Sequence, residues 1–282
     1  MENGNGRGND MHRNSLSITP QFDLTDALST AMRVPGVRID REQYLRKEFR
    51  KYYPEKTIEL AIRETPAYAG IEKWSVNKIA DTAIEYETNK VAAISVAASI
   101  PGGIAIPVSV AIDTTQYFVA VLRIMQKLAY LYGFPEMSFR EEDLDDKTMN
   151  QVMLFLGVMF GVQGANTAVI NIANSMAASV SKRLANKALT KGVVYPIVKK
   201  VARTIGIKIT KQIFADTVGN AIPVVGSVIS GGITYVSFKP RARKLQQCFS
   251  RTELSNTKFY KYDHKDYLKK ADYIDVDYVD VD

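Results

Sequence analysis

Three stretches of the chain carry no charged side chain: Val91–Ile112, Thr148–Ser181 and Thr217–Phe238, of 22, 34 and 22 residues. As one straight helix the first would reach about 33 Å, enough to cross a hydrocarbon core. Its centre, however, reads Ile100-Pro101-Gly102-Gly103-Ile104-Ala105-Ile106-Pro107. Proline removes a backbone donor and collides with the preceding turn, and paired glycines permit conformations that end helices, so a helical hairpin is expected. The same chemistry returns in Ala221-Ile222-Pro223-Val224-Val225-Gly226, followed by Gly231-Gly232.

Around these windows the apolar spacing is helical. Asp40 is placed to cap a helix carrying Tyr44, Leu45, Phe49 and Tyr52 on one face, and Thr57–Glu64 continues as a short helix before Pro66. A longer helix is expected from Ile71 or Trp74 to Ile100. Val108–Tyr132 follows, with Val110, Tyr117, Val121, Ile124, Leu128 and Leu131 as core candidates and a stop at Gly133-Phe134-Pro135. The acidic run Glu141–Asp146 suits the positive end of a helix beginning near Met149. Gly157, Gly161 and Ala165 have the spacing that lets helix backbones approach closely. From Ala185 to Phe214 lysines alternate with isoleucine and valine, predicting amphipathic helices interrupted at Gly192 and Pro196. The fold class expected is all-α: a single helical domain over 40–250 with broken apolar helical hairpins, a disordered leader over 1–25, and a polar extension over 251–282 ending in an acidic repeat.

Composition adds the question of a membrane. A mean hydropathy of −0.12 is ordinary for a soluble protein and argues against a multi-span transporter unless apolar residues are concentrated locally; they are, and that clustering is what argues for membrane contact. The formal net charge of +7 suits an anionic partner. Position separates the candidates: no acidic residue occurs between Asp146 and Asp216, while nine lysines and arginines, including Lys199, Lys200 and Arg203, follow the longest uncharged window. The third window ends on Lys239-Pro240-Arg241-Ala242-Arg243-Lys244. Basic residues beside apolar windows resemble juxtamembrane anchors, each contributing on the order of 1 kcal/mol near anionic lipid. Cys248 stands alone, which leaves no disulfide framework or zinc cluster and fits a reducing cytosol. Met1–Phe22 has no apolar stretch, so no cleaved signal peptide is expected.

Chemistry-bearing motifs are sparse. The two histidines, His12 and His264, lie near opposite ends of the sequence, which disfavours a Ser-His-Asp or Cys-His site. Gly161–Thr167 is glycine-rich without the lysine of a phosphate-cradling loop, and no metal-ligand spacing or nucleic-acid-binding signature occurs, so no cofactor, metal or nucleic-acid partner is called for. Asp113 is the first charge after the first apolar window and needs a hydrogen-bonding or basic partner if buried. Arg123 lies ten residues on, about 15 Å along the helix, so the two cannot pair with each other and each needs another partner. Five aspartates in Asp272–Asp282 form a tail that would shield the basic region.

Pro101, Gly102 and Gly103 leading through Pro107 to Asp113, then Tyr117, Leu122-Arg123 and Leu128-Ala129-Tyr130-Leu131-Tyr132-Gly133, resemble the EcsC family. So does Ile222–Gly232, with Pro223, Gly226, Gly231 and Gly232, before the basic run Arg241–Lys244. The resemblance spans roughly Tyr44 to Leu245. It implies an all-helical protein of bacterial type linked to membrane transport or envelope processes, with an ABC transporter as one class of partner, and it supplies no catalytic residue. The leading expectation is a non-enzymatic protein at the cytoplasmic face of a membrane, peripheral or partly inserted, with Lys199, Lys200, Arg203, Arg241 and Arg243 against an anionic surface. A soluble helical domain with a hydrophobic or lipid ligand is the alternative. A third reading is an enzyme on anionic lipid using Asp113.

Overall fold

The computed structural model describes residues 23–97, 110–139, 146–178, 194–219 and 226–261. Among them the chain is all-α. Its helices are α1 (Leu24–Met32), α2 (Arg41–Phe49), α3 (Glu55–Arg63), α4 (Lys73–Ala97) and α5 (Val110–Leu131). Then come α6 (Asp146–Phe160), α7 (Ala165–Ala178), α8 (Val194–Gly219), α9 (Gly226–Phe249) and the short α10 (Thr257–Lys261). The leader, the acidic connector at 140–145, the basic segment at 179–193 and the aspartate tail lie outside the described residues.

Local chemistry sets the boundaries. Asp23 and Asp40 cap α1 and α2, their carboxylates accepting from Thr25 N and Gln43 N at 2.8 Å each. Gly133 and Gly161 end α5 and α6 at φ +94° and +70°, and the following amides reach back to Ala129 O at 2.9 Å and Gly157 O at 2.7 Å. Only glycine takes that left-handed step freely. Gly161 is therefore a helix terminator, and the close approach expected of it belongs to Gly157. A Cβ on Gly157 would lie 2.7 Å from Val201 of α8 and 2.8 Å from Ala165 across the α6–α7 turn. Pro196 does not interrupt a helix: it stands in the first turn of α8, where its missing N–H has no intrahelical partner to lose. The backbone likewise stays helical through Gly231 and Gly232, and Gly226 opens α9. Tyr52, expected on the buried face of α2, is exposed beyond its end.

α5 is the central helix. Val121, Ile124, Leu128 and Leu131 are buried as expected, but so are Phe118, Leu122, Met125, Ala129 and Tyr130, which cover most of its circumference. It packs against α1, α2, α4 and α9, while α6 joins α7, α8 and α9. Phe134, Phe155 and Phe249 tie the two groups together, with ring centroids 4.6 to 5.3 Å apart.

The buried polar residues of α4 and α5 meet one another inside this core. Glu87 of α4, fully buried, receives Lys127 Nζ at 2.6 Å and Arg123 Nε at 3.4 Å, both from α5. Arg123 also donates to Gly36 O. Gln126, buried between them, accepts from Ile39 N and donates to Val37 O and Leu122 O, all at 2.9 Å. Arg123 thus has its partner on α4. Asp113 is a backbone position of α5 whose side chain lies outside the described residues.

α4 runs antiparallel to both of its large neighbours. Asn77 meets Tyr132 and Glu87 meets Lys127 on α5. On α9, Gln246 donates to Asn77 O at 3.4 Å, Asp81 pairs with Arg243, and Glu85 pairs with Lys239. This register brings the end of α4, the start of α5 and the start of α9 to one end of the bundle. α4 and α5 are therefore the two arms of the expected first hairpin, and Pro101, Gly102, Gly103, Pro107 and Pro223 lie outside the described residues.

Two substitutions test this packing by denaturant unfolding. Glu87→Ala leaves Lys127 and Arg123 facing each other unneutralised and is expected to lower stability by about 3–5 kcal/mol. Gly157→Val should lower it by about 1–3 kcal/mol through overpacking against Val201; an unchanged midpoint would show that α6 and α8 are not in close contact.

Candidate anionic-surface site

The glycine corner between α6 and α7 collects cations from two other helices. On one side α8 buries Val194, Val201 and Ile205 and turns Tyr195, Lys199, Arg203 and Ile207 outward at successive four-residue steps. Lys199 Nζ stacks 4.8 Å from the Tyr195 ring. The adjacent Lys200 donates to Gln163 Oε1 at 3.2 Å, in the corner itself. An aromatic and an aliphatic side chain thus bracket the cations along one exposed stripe, the order that lets ammonium and guanidinium groups stay wet while apolar stems lie on a surface.

On the other side is α9. Lys244 Nζ lies 3.6 Å from the position a Cβ of Gly161 would occupy, over the C-terminal turn of α6, where a cation is favoured by the helix dipole. Arg251 follows the end of α9. The two border an open groove of about 200 Å³ whose other walls include Gly161, Asn166 and Gln247, with Cys248 beneath. None of the residues lining it is acidic. Among the described residues no ion pair is recorded for Lys199, Lys200, Arg203, Lys244 or Arg251.

The remaining basic candidates are engaged within the fold. Arg241 donates to Tyr117 Oη at 2.6 Å and lies over the Phe160 ring at 4.3 Å. Burial raises the Tyr117 phenol above its ordinary range, and the guanidinium opposes that shift. Arg243 is held by Asp81 and by Gln246 Oε1 at 2.9 Å. The five cations expected at an anionic surface therefore divide: Lys199, Lys200 and Arg203 are exposed on α8, and Arg241 and Arg243 fasten α9 to α5 and α4. Lys244 and Arg251 were not singled out from the sequence. Nor were Asn77, Asp81 and Glu85, although their four-residue spacing on one helix face was a readable sign of a polar ladder.

Among the described residues no three His, Cys, Asp or Glu side chains cluster as metal ligands, and no helix is long and apolar enough to cross a membrane. Both histidines lie outside the described residues. No family model matches the chain, and neither the curated proteins nor the solved structures give a match.

Cys248 reports on the groove floor. Burial pushes its thiol from 9.0 up to about 12, opposed by the nearby Arg251 charge. The reactive thiolate is then scarce at pH 8, and disulfide-exchange labelling of the folded chain should be markedly slower than that of the denatured chain. Labelling at the rate of the denatured chain would mean that the groove floor is open.

Proposed function

We propose that the protein is a non-enzymatic, EcsC-like helical protein that docks on an anionic membrane at the cytoplasmic face. The observation carrying this reading is the antiparallel register of α4, α5 and α9, which brings the described parts of two charge-free windows, 91–97 with 110–112 and 226–238, to one end of the bundle. On α9, Gly226–Phe238 is free of charge and would extend about 20 Å before Lys239, a depth of one leaflet plus part of its interface. Lys90 stands exposed at the base of that end, and Lys199, Lys200 and Arg203 add an exposed basic stripe. Apolar insertion and headgroup attraction would then act together, the combination that stable peripheral anchoring requires. The EcsC resemblance adds an accessory role in transport, with a membrane protein such as an ABC transporter as partner.

Flotation of the purified full-length chain with anionic vesicles tests the reading. Association is expected to survive washes in high salt and in alkaline carbonate. The triple variant K199Q/K200Q/R203Q should bind with a shallower salt dependence while remaining folded. Loss in salt alone would reduce the reading to a surface contact, and absence of flotation would favour the soluble domain with a hydrophobic or lipid ligand.

A further inference from the structure

We propose that the groove between the α6–α7 corner and α9 is a binding site for a phosphate monoester, held by Lys244 and Arg251. The groove differs from the stripe on α8, which is a surface. It is a concavity of about 200 Å³, walled by Gly161, Asn166, Gln247 and Cys248 as well as the two cations. That volume is below the ~300–1,000 Å³ of pockets that enclose drug-sized ligands, so it suits a headgroup-sized molecule.

Charge selects the ligand. Two cations line the groove without a carboxylate, and no ion pair neutralises either one among the described residues. This differs from Arg241, Arg243 and Lys239 on the same helix, which meet Tyr117, Asp81 and Glu85. A monoester carries close to two negative charges at neutral pH and matches the pair, whereas a phosphodiester carries one. The guanidinium can take two phosphate oxygens side by side, and the lysine, about two helical turns earlier along the same side of the groove, adds a point charge. Asn166 and Gln247 line the same concavity and offer amide groups to the ester oxygen or a neighbouring hydroxyl. Gly161 keeps the wall low: it is at φ +70° and without a side chain between the helix end and Lys244.

Position supplies one source. Lys244 lies five residues beyond Lys239 on α9, about 8 Å farther from the apolar end. On the membrane reading above, from which this source is taken, the groove stands at headgroup depth and would receive a monoester lipid such as phosphatidic acid. The chemistry is the same for a free phosphate monoester, and that part is independent of the membrane.

The test separates the two. Full-length ¹⁵N-labelled protein is titrated with inorganic phosphate and with glycerol 3-phosphate, following the amides of Gly161, Val162 and Asn166. Saturable shifts confined to that corner are expected, with affinity reduced about tenfold or more in K244Q/R251Q. Gln247→Glu, which leaves both cations in place and adds a repelling charge, should weaken binding as well. Flotation is then compared between vesicles containing phosphatidic acid and vesicles of matched surface charge containing phosphatidylglycerol. Preference for phosphatidic acid, lost in the double variant, identifies the lipid as the source. Saturable shifts without that preference identify a soluble monoester. No saturable shift with either inorganic phosphate or glycerol 3-phosphate overturns the groove, even where vesicles still bind through Lys199, Lys200 and Arg203. Shifts in the wild type that persist undiminished in K244Q/R251Q overturn it too.

Discussion

The buried carboxylate of Glu87 constrains the bundle more than any single apolar contact does. A charge without solvent must be met by fixed partners, and here they come from one helix face: Lys127 and Arg123, one turn apart on α5. Satisfying Glu87 fixes how α5 is rotated against α4. Arg123 and the intervening Gln126 then bind the backbone at Gly36, Val37 and Ile39, which settles where α1 hands over to α2. Apolar packing alone would tolerate several rotations of so uniformly hydrophobic a helix as α5; an ion pair and an amide fork do not. One Glu87 oxygen and the Tyr44 hydroxyl are buried without a hydrogen-bond partner, so this specificity comes with unsatisfied polar groups.

The distribution of charge follows from the same antiparallel arrangement. Acidic side chains of α4 that face α9 are taken up by its basic residues Lys239 and Arg243, whereas Lys199, Lys200 and Arg203 on α8 and Lys244 and Arg251 at the far end of α9 have no ion pair among the described residues. The α6–α7 corner is therefore one place where several cations stand without acidic partners. The net charge of +7 alone did not locate it.

Much of the helical layout was legible because its signals are local. Asp40 as a cap, Gly133 as a stop and the Ile124–Leu128–Leu131 face each depend on neighbours within a turn or two, and they stand in the structure as read. Pairings across the chain were not legible in this way. Arg241 and Arg243 read as a basic run adjoining an apolar window, yet their partners Tyr117 and Asp81 are more than a hundred residues away, and nothing local distinguishes an engaged arginine from a free one. Glycine was ambiguous for a related reason. Gly157, Gly161 and Gly231 share one residue type, but the first makes room for Val201, the second turns the chain and the third remains inside a helix. The groove was hidden because its walls come from α6, α7 and α9.

The long reach of the α4–α9 pairing also has consequences for how the chain is made. Gln246 and Arg243 close on Asp81 across 165 and 162 residues, and Phe249 completes the aromatic cluster around Phe134 and Phe155. During synthesis, α4 and α5 emerge well before α9 exists, so their polar ladder and much of their apolar surface wait uncovered while more than a hundred further residues are translated. Contacts of such sequence separation slow folding and lengthen the exposure of sticky intermediates. Until α9 arrives, the face of α4 that it covers has no partner within the chain.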